Sequence, residues 1–208
     1  MSRATVRFVS LHKAILFCLF LVPLASANDY KYQESHHDAR DFAGGGYLHV
    51  RLKVGDLHVK RGDSNKIRLD YTVKSKYESN LKDATVDFNV SGNDATIEFH
   101  ASHSENLELE VELEVPENTN LELRQKVGDL KVDRIQGDKE VELGVGDLWI
   151  AKDAGSYRTV NASTGIGDVH GWEGSGEVKG WLGKTLKYEG DGKYDLRAHV
   201  GVGDIHLD

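Results

Sequence analysis

The sequence predicts an all-β protein built from repeated strand-and-corner units, and three observations predict it. A four-residue phrase, apolar-Gly-Asp-apolar, recurs five times: Val54-Gly55-Asp56-Leu57, Val127-Gly128-Asp129-Leu130, Val145-Gly146-Asp147-Leu148, Ile166-Gly167-Asp168-Val169 and Val202-Gly203-Asp204-Ile205. Gly128, Gly137, Gly146 and Gly155 fall nine residues apart, and Gly167 and Gly176 repeat the interval after a three-residue insertion. Finally, the parity of the apolar residues switches across each phrase. Repetition of this kind marks supersecondary units that cannot bury their apolar faces alone and so stack on one another.

From the N-terminus, residues 1–27 read as a secretory signal peptide, with basic Arg3, Arg7 and Lys13, an apolar run from Ala14 to Leu24, and the small residues Ala25-Ser26-Ala27 at a cleavage site. The run is shorter than the roughly 20 residues that span a bilayer, which argues for cleavage over a retained anchor. Cys18 follows Phe17 rather than the small residue expected before a lipidated cysteine. Residues 28–46 are polar and unpatterned and read as a flexible leader ending in Gly44-Gly45-Gly46.

A β-strand-repeat domain is expected over 47–208, with longer strands in 47–125 and short Gly-Asp rungs in 126–208. Tyr47 to Lys60 and Lys66 to Val73 alternate in β fashion. Ser75 to Asp83 is a loop or one or two helical turns. Ala84 to Val90 and Ala95 to His100, joined by Ser91-Gly92-Asn93-Asp94, read as a hairpin. Leu107 to Val115 alternates apolar residues with glutamate until Pro116. Sixteen of the 22 glycines lie from Gly128 onward, which places the change from longer strands to short rungs there.

Within the rungs, residues i and i+2 share a strand face. Leu121, Leu123 and Val127 before one phrase are odd, and Leu130 and Val132 after it are even. The same change runs from Val141, Leu143, Val145 to Leu148, Ile150, and from Val200, Val202 to Ile205, Leu207. The pairs Gly55/Asp56, Gly128/Asp129, Gly146/Asp147, Gly167/Asp168 and Gly203/Asp204 are therefore expected to be corners, with glycine supplying a conformation that a Cβ obstructs and aspartate bonding nearby amides. Stacked about 4.8 Å apart, such carboxylates repel by about 1 kcal/mol in water. Amide hydrogen bonds and solvent are expected to relieve them; the spacing lacks the Gly-Gly-x-Gly-x-Asp pattern of calcium-binding β-rolls.

The run Leu113-Glu-Val-Pro116, Leu121-Glu-Leu123, Gly128-Asp-Leu-Lys-Val132, Ile135-Gln-Gly137, Val141-Glu-Leu143 and Gly146-Asp-Leu-Trp-Ile150 resembles the bacterial putative-adhesin β-strand-repeat domain, also described as the toast-rack type, over roughly residues 47–208. The resemblance implies an exported or envelope protein with no established catalytic residues. It also completes the fold class: all-β, a repeat-built, single-stack β-solenoid-like domain with longer N-terminal strands. The copy at Leu182 to Gly190 departs from the pattern, with Lys184 in place of the corner aspartate.

Composition narrows function. Removal of the signal leaves 23 Lys+Arg against 34 Asp+Glu and moves the formal charge from −8 to −11. So acidic a chain is unsuited to nucleic acid or to anionic lipid by bulk charge, and no stable membrane insertion is expected after cleavage. The mature chain has no cysteine, so disulfides and thiolate sites are excluded.

Enzyme motifs fail on inspection. Gly183-Lys184-Thr185 lacks the earlier glycine of a phosphate loop, Val178 standing there. Ser79-x-x-Lys82 lacks its partner motifs, and neither a Gly-x-Ser-x-Gly elbow nor a His-Glu-x-x-His pair is found. Glu108, Glu110, Glu112 and Glu114 share the face expected to meet solvent. Trp149 falls on the outward parity and offers a platform for sugar rings, although the bulk of Trp149, Trp172, Trp181, Tyr188 and Tyr194 favours packing in the core or between rungs.

No cofactor or metal is assigned. The candidate ligands for an ion are Asp56, His58, Asp168, His170, Asp204 and His206, three Asp-x-His pairs whose parity puts each pair on one outward face. Read in chain order, His170 and His206 stand two rungs apart, about 9.6 Å, too far for one ion unless the degenerate copy is looped out. Solvated histidines beside corner aspartates are therefore expected.

The sequence thus points to an exported protein of the periplasm or cell surface that binds or builds without catalysis, its partner an envelope protein or polysaccharide. The alternative is a polysaccharide-cleaving β-helix enzyme. Export carries its own test: the protein recovered from its native envelope begins at Asn28, as intact-mass spectrometry will show.

Overall fold

The protein is described by a computed structural model over residues 30–82, 84–101, 107–151 and 156–208. Its elements, in chain order, are β1 (Tyr32–Asp41), β2 (Tyr47–Val54), β3 (Asp56–Gly62), β4 (Lys66–Ser75), the single turn α1 (Glu78–Leu81), β5 (Ala84–Ser91), β6 (Asp94–Ala101), β7 (Leu107–Pro116), β8 (Asn120–Val127), β9 (Leu130–Val132), β10 (Lys139–Val145), β11 (Leu148–Ile150), β12 (Tyr157–Ile166), β13 (Val169–His170), β14 (Thr185–Glu189), β15 (Tyr194–Val202) and β16 (Ile205–Leu207). The signal peptide and its cleavage site lie outside the described residues.

These strands form two mixed, eight-stranded sheets that do not close, one in the order β1-β4-β7-β3-β9-β11-β16-β13 and the other β14-β12-β15-β10-β8-β2-β6-β5. At each Gly-Asp phrase the chain crosses from the second sheet to the first, so β2/β3, β8/β9, β10/β11, β15/β16 and β12/β13 are five equivalent rungs, paired in parallel.

Inward positions form ladders across the rungs. Val50, Leu123, Val141, Ala198 and Ala162 align in one sheet, and Leu57, Leu130, Leu148, Ile205 and Val169 in the other. All ten are buried in one core cluster, where each aliphatic side chain as large as valine contributes about 1.5–3 kcal/mol of transfer free energy.

The corners behave as the parity switch requires. Gly55, Gly128, Gly146, Gly167 and Gly203 have φ of +135°, +117°, +135°, +134° and +136°. A Cβ on any of the last four would overlap the carbonyl oxygen of the corner glycine in the adjacent rung. Only glycine meets both demands. The main chain is stitched across the corner by Gly128 N donating to Val145 O at 3.0 Å and Leu130 N donating to Asp147 O at 3.0 Å.

The amide between them, that of the aspartate, is turned the other way and is taken up by a side chain. Asp129 N donates to Asp56 Oδ1 at 2.9 Å, Asp147 N to Asp129 Oδ1 at 3.1 Å, Asp204 N to Asp147 Oδ1 at 2.8 Å and Asp168 N to Asp204 Oδ1 at 2.8 Å. The carboxylates of Asp56, Asp129, Asp147 and Asp204 are thus held by amides, as expected, while Asp168 ends the column as a donor. A second column does the same at the opposite corners, where Asp138 N donates to Asn120 Oδ1 and Asp195 N to Asp138 Oδ1, both at 2.9 Å.

Three expectations are corrected. The leader is not wholly flexible: Tyr32–Asp41 is a ten-residue strand paired antiparallel to β4. It buries little, being held by its backbone ladder, so it carries no apolar alternation for a sequence to display. Val127, Val145, Ile166 and Val202 do not face inward but are between 44% and 50% exposed, because the chain begins to bend at the residue before the glycine. The inward place is taken two positions earlier, by Gln125 and Leu143 in the rungs of Val127 and Val145.

Nor do the rungs follow chain order: β15/β16 lies between β10/β11 and β12/β13, and the degenerate copy supplies β14, antiparallel to β12. Antiparallel strands therefore flank the parallel rungs instead of a single uniform stack. Lys139 stands in the inward ladder between Leu121 and Leu196. It is buried, and its Nζ donates to Gly137 O at 3.1 Å and lies 5.1 Å from the Tyr157 ring centre.

Two sets of substitutions test the corners. Gly128→Val and Gly146→Val each destabilise by more than the ~1 kcal/mol of an ordinary glycine effect, because a β-branched residue is strained there; Gly92→Val is milder, because Gly92 has φ of +62° but open space around its Cβ position. Asp147→Ala leaves the Asp204 amide without its acceptor and costs about 1 kcal/mol. Asp147→Asn keeps the oxygen and removes a like charge, so it is neutral or stabilising by up to about 1 kcal/mol. Thermal or urea unfolding reads all of these.

Candidate functional site

Outward residues of the first sheet also align across strands. Register brings His37, Asp70, Glu112, His58, Lys131, Trp149, His206 and His170 into one transverse row. None of these side chains is buried. A groove of about 630 Å³ runs along this face from β1 to Trp149.

At the β1 end, His36 stacks on Tyr71 with centroids 4.6 Å apart and planes 15° apart, Ser35 Oγ lies 3.0 Å from Thr72 Oγ1, and His37 pairs with Asp70. Burial, with the negative charges of Glu34 and Asp38 nearby, pushes the Tyr71 phenol above its usual pKa. In the middle, Glu110 pairs with Lys74, Glu112 with Lys60, and Glu114 with Arg68. Hydrogen bonds to Glu110 and then Glu108 hold the Lys74 ammonium in its charged form and raise its pKa. The glutamates of β7 are the outward face that alternation predicts, each now with a cation across the strand.

Trp149 closes the groove. It is half-buried on the outer face and stacks on His206, centroids 5.4 Å apart and planes 6° apart. It faces outward, as its parity predicts, and packs against the neighbouring rung. Trp172 packs edge-on to Tyr188 beside the core, whereas Trp181 is 95% exposed, outside the core expected for it.

The six candidate metal ligands divide. Asp56 and His58 belong to the groove: Asp56 Oδ1 accepts the Asp129 amide and His58 Nε2 lies 2.9 Å from Asp133 Oδ1. Three strand spacings, about 14 Å, separate them from the rest. His170, Asp204 and His206 come together, each offering a ligand atom within 4.8 Å of the others. The two-rung separation expected in chain order is overturned, because β16 pairs directly with β13. Asp168 takes the end of the corner column beside them.

The sequence showed the Asp-x-His pairs and Trp149 but not the β1 and β4 side of the groove. Parity within the polar β1 segment names no inward face, and nothing local fixes its partner strand.

The fold has a counterpart. A crystal structure of a putative cell adhesion protein from Clostridium sporogenes superposes with a TM-score of 0.57 at 17% identity, covering 85% of this chain and 99% of that one. Putative adhesins from Parabacteroides merdae (10% identity, 85% of this chain and 81% of that one) and Bacteroides fragilis (12% identity, 84% and 97%) match far more loosely, with TM-scores of 0.27 and 0.25. No family model matches the chain, and no curated protein matches it in sequence. The chain shares its fold with a putative cell adhesion protein, in line with the resemblance carried by its Gly-Asp repeats.

Proposed function

We propose that the protein is an exported, non-catalytic binding module of the cell envelope, and that the groove on the outer face of its first sheet takes an envelope polysaccharide. The five parallel rungs act as a short solenoid-like body that holds the groove in shape. Trp149 carries the reading: an outward indole, stacked on His206, at the end of a groove whose lining includes the hydroxyls of Ser35, Tyr71 and Thr72 and five carboxylates beside three histidines and Lys131. Sugar rings present C–H faces that pack on aromatics and hydroxyls that need acceptors, so an apolar plate beside oriented oxygens suits them. Export rests on the N-terminal sequence; among the described residues no helix is long and apolar enough to cross a membrane.

The groove's acids support binding over cleavage. Glycoside hydrolysis needs two carboxyl groups free to trade a proton and attack. Here Asp70 is engaged by His37, Glu110 by Lys74, Glu112 by Lys60, Asp56 by the Asp129 amide and Asp129 by the Asp147 amide. Five carboxylates against Lys131 alone in the lining favour, as a second reading, a basic segment of an envelope protein.

The test is affinity electrophoresis and calorimetry of the purified protein against isolated envelope and plant polysaccharides. At least one is bound without release of reducing ends, and Trp149→Ala weakens it about tenfold, equivalent to about 1.4 kcal/mol, with an unchanged circular dichroism spectrum. Reducing-end release overturns the non-catalytic reading. Capture of an envelope protein with no polysaccharide bound replaces the ligand proposed here.

A further inference from the structure

Six of the eight described histidines are committed to a partner: His36 to Glu34, His37 to Asp70, His49 to Glu122, His58 to Asp133, His100 to Asp87 and His199 to Ser163. His170 and His206 alone make neither a hydrogen bond nor an ion pair among the described residues. They stack face to face instead, centroids 4.7 Å apart and planes 11° apart, at the open edge of the first sheet, where β13 is the last strand.

Asp204 lies beside them. Its Oδ1 accepts the Asp168 amide at 2.8 Å, which orients the carboxylate and leaves Oδ2 available. The three residues are placed by the fold rather than by flexible loops. Asp204 and His206 share a face as i and i+2, and His170 is the registered neighbour of His206. Behind His206, the Trp149 ring limits how far the imidazole can turn.

From this geometry we infer that His170, Asp204 and His206 bind a zinc ion or a similar first-row divalent cation. Two imidazole nitrogens and one carboxylate oxygen, with water in the fourth position, form the donor set of an open zinc site, and imidazole-rich sites suit zinc, nickel and copper over magnesium or calcium. Ligands about 2.0–2.2 Å from zinc in a tetrahedron lie about 3.3–3.6 Å apart. The present atoms, all within 4.8 Å of one another, converge by rotations that the exposed His170 ring and the free Asp204 oxygen permit. The ion ties β13 to β16 and closes the edge of the sheet. His170, Asp204 and His206 lie outside the groove lining, and the two sites meet only where His206 stacks on Trp149.

Isothermal calorimetry of the tag-free protein with zinc chloride tests the site. One zinc binds per chain, and His206→Ala and His170→Gln each weaken it at least tenfold, whereas His58→Ala leaves it unchanged. His170→Gln alters an exposed edge residue and keeps the test valid should His206→Ala disturb Trp149. Cobalt loading gives a second readout: tetrahedral ligand-field absorption in the wild-type protein and in His58→Ala, lost in His170→Gln. Absence of zinc binding to the wild-type protein, or binding that is equal in wild type and His170→Gln, overturns the inference.

Discussion

Every rung is fastened to the next by one carboxylate oxygen that accepts the main-chain amide of the neighbouring corner aspartate. The bend created by the preceding glycine removes that amide from the strand ladder. At these solvent-facing corners the alternative partner is water, so each carboxylate-to-amide bond adds the net worth of an ordinary intramolecular hydrogen bond, about 0.5–1.5 kcal/mol. Aspartate at this position answers the problem in its neighbour, not in itself. Glycine answers the other half, because the rungs approach so closely at the corner that a Cβ has no room.

This reciprocity explains why the rungs need not follow chain order. Each corner offers an acceptor on one side and an amide on the other, so any copy can sit on any other. The second and third copies are joined by one uninterrupted eighteen-residue unit, whereas the fifth copy enters between the third and the fourth. The inversion is what sets His170 against His206 and Trp149 against His206, so side chains distant in sequence meet on one face. Antiparallel strands cover three of the four flanks, β1 and β4 on the first sheet and β5 and β14 on the second, where parallel edges would otherwise recruit further chains, while β13 leaves the remaining edge of the first sheet open.

Much of this was legible in the sequence, for physical reasons that can be named. Alternation betrays a strand with one buried face, which is why β7 and the β5–β6 hairpin were readable, and a glycine forced to positive φ recurs wherever the bend recurs. What stayed hidden depends on partners. β1 shows no pattern because its backbone, not its side chains, holds it. Val127 and its equivalents carry an inward parity yet point out, since parity assumes that the strand stays straight through the bend. Of the candidate site, the Asp-x-His pairs were visible, but their meeting required the rung order, which no local signal encodes.

The central claim is the column of carboxylate-to-amide hydrogen bonds, and native-state hydrogen exchange followed by NMR tests it most directly. The amides of Asp129, Asp147, Asp204 and Asp168 sit at solvent-facing corners, where an unbonded amide exchanges quickly. If the column holds the rungs together, these four amides are protected to the level of the adjoining strand amides of Leu130, Leu148 and Ile205, while the hairpin-turn amide of Asn93 exchanges fast. Exchange of the four aspartate amides at the rate of Asn93 would contradict the account.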